Sequence, residues 1–121
     1  MIDVNMDNLR RIFVEQTAVG IGWTANEGKV KYLNPALTQM LALDNAEDAY
    51  DQPVFAFYEK ETISKLEDEI LTTVIDKGIW IGELPLQTKQ GDIYRTINHL
   101  FAMKDDSGNM FSFGNIVILN P

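Results

Sequence analysis

Cysteine is absent from this 121-residue chain, and only one histidine, His99, is present. The missing cysteine excludes disulfides, thiolate metal ligands and cysteine nucleophiles, and it fits a cytoplasmic address. A single histidine among scattered carboxylates offers no catalytic triad or acid/base pair, so no enzyme activity is expected. Positive charge is also scarce: 10 Lys and Arg stand against 18 Asp and Glu, a net charge of −8. That field repels a phosphate backbone, so nucleic acid is not an expected partner. No apolar run approaches the roughly 20 residues of a membrane span, and "MIDVNMDNLRR" lacks a secretory core. No metal site is expected either, because Glu67, Asp68 and Glu69 point around a helix rather than converge.

What is present describes a globular domain over 1–121, with 45% hydrophobic and 23% charged residues. Met6, Leu9 and Phe13, with Ile12 beside them, predict an amphipathic leading helix within 1–17, capped by Asn5 or Asp7. "AVGIGWTANEGKVKYLN" reads as a hairpin turning at Asn26-Glu27-Gly28. On its first strand Val19, Ile21 and Trp23 share one face; Ala18, Gly20, Gly22 and Thr24 share the other. From Pro35 to about Phe57, short helices begin with Asn34 as cap. A longer helix follows, with the stripe Ile63, Leu66, Ile70 and Val74 and Gly78 placed to end it. Three strands close the chain, at about Ile79–Thr88, Asp92–Lys104 and Asn109–Leu119. The expected class is α+β: a five-stranded antiparallel sheet, helices packed on one face, and an N-terminal capping helix.

The core expected over 18–121 resembles the PAS (sensory box) family in two places. The first hairpin places Gly28, Asn34 and Pro35 as that family does. The second half repeats its run of Gly78, Trp80, Gly82-Glu83, Lys89-Gln90-Gly91, Asp105 and Gly108. The chain departs from the family at Ala25, where Asp is common, and at the closing "LNP", where an Asp-Ile-Thr exit is usual. The resemblance implies a bacterial sensor module, excised from the N-terminal part of a longer signalling protein. The output domain to its C-terminal side would be a GGDEF diguanylate cyclase or a histidine kinase.

Family cofactors can be tested against the residues. A covalent flavin photoadduct and a thioester-linked hydroxycinnamoyl group both need Cys and are excluded. Haem is not expected, because the long helix holds no axial His; no cofactor is required, although an unknown small ligand is allowed. The candidate pocket is the face of Gly20, Gly22 and Thr24 with Tyr94, Thr96, Asn98 and Leu100. The glycines either leave room for a ligand or let a helix approach closely. The other sheet face, with Ile21, Trp23, Ile97, Phe101 and Met103, is too apolar to stand bare. Met6, Leu9, Ile12 and Phe13 would cover it within the chain or from a partner, giving a homodimer. A ligandless homodimerisation domain is the alternative to a ligand-binding sensor.

Overall fold

Residues 5–119 are described by a computed structural model. The first four residues of the leading segment, and Asn120 and Pro121 of the exit, lie outside the described residues. Helix α1, Met6–Gln16, starts at Asn5, whose side chain accepts from the Asn8 backbone N–H at 2.9 Å. Strands β1 (Gly20–Ala25) and β2 (Val30–Leu33) form the first hairpin, and Gly28 at its turn takes φ 84°. Only glycine adopts that backbone without strain. Helix α2, Pro35–Met40, follows the Asn34 cap, and two 3-10 turns occupy Ala46–Asp48 and Val54–Phe57.

The expected long helix is divided in three. Helix α3 (Lys60–Lys65) passes through a π turn at Leu66–Ile70 into α4 (Leu71–Lys77). Its apolar stripe is nevertheless buried: Leu66, Ile70 and Val74 are all within 3% of full burial. Gly78, at φ 91°, ends α4 with its N–H on the Val74 carbonyl. Strands β3 (Ile79–Gln87), β4 (Ile93–Lys104) and β5 (Met110–Leu119) then run as a meander.

All five strands join one antiparallel sheet in the order β2-β1-β5-β4-β3. Its hydrophobic core lies between the sheet and the helical segment, and includes Leu33, Leu37, Phe57, Ile70, Leu84 and Val117. Asn34, fully buried, ties three elements together. Its Oδ1 accepts from the Leu37 and Ile21 N–H groups, and its Nδ2 donates to the Val14 and Val19 carbonyls.

The register places Trp23, Gly114 and Phe101 side by side on three adjacent strands, so Trp23 and Phe101 share the outer face. Helix α1 packs against α2, and none of its residues is buried. Met6, Leu9 and Phe13 are exposed, while Ile12 is half-buried. Cover for the outer face therefore does not come from the apolar stripe of α1 in this monomer.

Candidate functional site

The inner face of the sheet carries Gly20, Gly22 and Thr24 of β1, Thr96, Asn98 and Leu100 of β4, and Phe113, Asn115 and Val117 of β5. The strand registers put these in facing positions: Gly22 opposes Asn115, and Asn115 opposes Leu100. Between this face and the helices lies a cavity of about 230 Å³. Its walls include Gly22, Thr24, Leu33, Leu100, Phe113 and Asn115 of the sheet, with Leu37, Tyr58, Leu66 and Leu71 opposite.

The seven candidate pocket residues divide. Gly22, Thr24 and Leu100 line the cavity. At Gly20 the space is already filled, since an added Cβ would meet Leu37 at 3.1 Å and Val117 at 3.2 Å. At Gly22 too a Cβ would meet the Tyr32 carbonyl at 2.8 Å and Leu37 at 3.0 Å, so close approach accounts for both glycines. Gly20 admits the α2 side chain; Gly22 admits Leu37 too, yet borders the void beyond it. Thr96 and Asn98 are fully buried behind the cavity wall and do not line it. Tyr94 is 47% exposed and sits by a shallow surface hollow with Leu119, well apart from the others.

Thr96 and Asn98 work instead as links in a polar chain. Thr96 Oγ1 donates to the Leu84 carbonyl at 2.5 Å, and Asn98 Nδ2 donates to Thr96 Oγ1 at 2.8 Å. Asn115 Nδ2 donates to Asn98 Oδ1 at 3.1 Å. Asn115 borders the cavity, and its buried Oδ1 has no partner among the described residues. Buried polar atoms are nearly always paired, so this one marks the site.

Sequence reasoning missed Asn115, although "FSFGNIVIL" shows it: Phe113, Asn115 and Val117 alternate, with one amide among apolar neighbours. It also missed Leu66 and Leu71 as joint wall residues. On an α-helix, residues five apart diverge by about 140°. The π turn closes a bond from the Leu71 N–H to the Leu66 carbonyl and turns both side chains toward one void.

One end of the cavity is framed by Asn26, Glu27 and Gly28 of the hairpin turn and by Pro53, Val54 and Phe55. Those two segments are laced by backbone bonds from Val30 to Gln52, from Asp51 to Val30 and from Val54 to Gly28. Lys31 adds an ion pair to Asp51 at 2.6 Å. The hydrogen bond from Lys31 and its charge hold the Asp51 carboxyl below its usual range. Tyr58, buried in the wall, has its phenol pushed up to about 12 by burial, so it stays neutral.

No Lys or Arg among the described residues lines the cavity. Among the described residues no group of three or more His, Cys, Asp or Glu is placed to hold a metal. His99 opposes Ile81 and Ile116 on the outer face, with the sheet between it and the cavity. Trp80 and Trp23 are both packed structurally. Trp80 lies over Gly82 beneath Lys65 Nζ, 5.9 Å away, and Trp23 stacks on Tyr32 at 4.4 Å on the outer face.

This arrangement is the PAS fold. A PAS domain of a protein from Colwellia psychrerythraea superposes with a TM-score of 0.89 at 18% identity, covering 96% of this chain and 98% of that one. The PAS domain of a two-component sensor histidine kinase gives 0.77 at 10% identity, covering 94% and 96%. A domain of a sensory box sensor histidine kinase/response regulator from Geobacter sulfurreducens gives 0.73 at 17% identity, covering 92% and 91%. No protein-family model and no curated protein matches the sequence. No helix among the described residues is long and apolar enough to cross a membrane.

Proposed function

We propose that this chain is a non-catalytic sensory module. It holds a small ligand between sheet and helices and relays occupancy to an attached signalling output domain, a GGDEF cyclase or a histidine kinase. The observation that carries the reading is the cavity of about 230 Å³ backed by a buried polar chain that ends on an unpaired amide oxygen. A domain built only for stability has no use for such a void, because empty space forfeits packing contacts. The sensor histidine kinases whose domains share the fold favour the kinase as output. A ligand that favours one packing of the helices over another shifts their populations by its differential affinity.

The module also pairs with a second copy through its outer sheet face. Ile79 and Ile81 of β3 and Ile118 of β5 are 41–55% exposed there, and Trp23 is 37% exposed. Isologous burial of such a face suits a two-fold dimer.

Thermal unfolding against a panel of small metabolites tests the ligand reading. A specific ligand at about 100 times its Kd adds about 2.7 kcal/mol and raises the midpoint. Leu71→Trp fills the cavity, so this variant keeps its fold and loses the response. If no compound moves the midpoint and xenon does not enter the cavity, only the ligandless dimerisation module survives.

A further inference from the structure

If the cavity is a ligand site, as just proposed, the direction of its polar chain selects the chemistry of the ligand. The Thr96 hydroxyl has one proton, and the Leu84 carbonyl it faces at 2.5 Å can only accept. Thr96 Oγ1 is therefore an acceptor toward Asn98, which must turn its nitrogen to it, 2.8 Å away. Asn98 Oδ1 is then left to accept from Asn115 Nδ2 at 3.1 Å. Reversing Asn98 would set its N–H against the N–H of Asn115, and reversing Asn115 would set oxygen against oxygen. Asn115 is thus held with its oxygen as the free end, and that oxygen is the buried atom without a partner.

A carbonyl oxygen accepts and never donates. Water fills such a position poorly, since a buried water needs 2–4 polar partners. The wall is largely apolar, with Leu33, Leu37, Leu66, Leu71, Leu100 and Phe113 among its residues. A cavity of roughly 150 Å³ takes benzene, and this one, at about 230 Å³, has room for a second fused ring. Anions find no cation among the described residues of its lining and meet Glu27 at its rim, within a chain of net charge −8. A cation would lose its hydration against apolar walls.

We propose that the cavity selects a neutral molecule of one or two rings bearing an O–H or N–H donor, and that Asn115 Oδ1 accepts that proton. Indole and benzothiophene probe this directly, being nearly equal in shape and differing in one N–H. In calorimetric titrations of the full chain, indole binds roughly tenfold more tightly, the worth of one satisfied buried hydrogen bond. Indole also shifts the Asn115 side-chain amide resonance. In Asn115→Leu the two affinities become equal. Equal affinities in the wild type would overturn the donor rule while leaving the cavity a ligand site. If neither compound binds at millimolar concentration, the ligand reading falls with it. A preference that persists in Asn115→Leu would overturn the assignment of the accepting atom. Should that variant not fold, the wild-type amide resonance decides: no shift with indole overturns the proposal.

Discussion

Tyr58 shows how one residue of the cavity wall makes the fold sensitive to alkali. The residue is 7% exposed, and burial raises the pKa of its phenol from 10.0 to about 12. The folded state therefore holds the proton more tightly than the unfolded chain. The stability this confers is complete below pH 10 and is lost as pH rises from 10 toward 12. At pH 11 the loss is about 1.4 kcal/mol relative to neutral pH, taking 1.36 kcal/mol per pKa unit. Tyr58→Phe has no proton to lose. Urea unfolding of both proteins at pH 8 and pH 11 should show the variant gaining about that much on the wild type at the higher pH. An unchanged difference between the two would mean that Tyr58 is solvated. The residue scale is also where the sequence is least legible. Thr96 and Asn98 could be placed on the inner face by alternation. That they face each other rather than the cavity depends on side-chain geometry that no period encodes.

The sheet shows how elements constrain one another. Gly114 of β5 stands between Trp23 and Phe101, and a Cβ there would lie 2.4 Å from the Phe101 ring. The ring covers the glycine, so the vacancy left by one strand is filled by the next. Gly114→Ala forces the Phe101 ring aside and costs about 1 kcal/mol, at the low end for overpacking because the ring can swing. In a Phe101→Ala background the same substitution should cost almost nothing, a coupling visible in a double-mutant cycle from urea midpoints. Equal costs in the two backgrounds would refute the contact. Helix caps and turns were plain at this scale, because Asn5, Asn34, Gly28 and Gly78 act through their own local backbone. The π turn was not. Its stripe reads as continuous helix, and only the packing of α3 and α4 against the sheet selects the extra residue.

At the scale of the whole molecule, apolar surface and net charge oppose each other. The outer face aligns Ile81, His99, Ile116 and Ile21 in one row and Ile79, Phe101, Gly114, Trp23 and Tyr32 in the next. Bringing two such faces together buries that surface but also joins two charges of −8. Added salt screens the repulsion, with a Debye length near 10 Å at about 0.1 M. Dimerisation should therefore strengthen with ionic strength, as followed by sedimentation equilibrium. Ile81→Lys, at a position 55% exposed in the monomer, should weaken the dimer at least tenfold without lowering the unfolding midpoint of the monomer. A dimer indifferent to this change would place the interface elsewhere.

The amino-acid sequence alone determined the five strands, their alternating faces, the capped helices and the absence of cysteine chemistry, because those follow from period, cap and composition. Tertiary structure decided the rest. Whether Gly20 and Gly22 make a void depends on where Leu37 of α2 lands, and Leu37 covers both, with the cavity beginning beside Gly22. Which amide atom is left free depends on a chain of donors crossing β3, β4 and β5. Neither can be read from a local period: the first depends on α2 packing onto β1, and the second on the pairing of β3 with β4 and of β4 with β5.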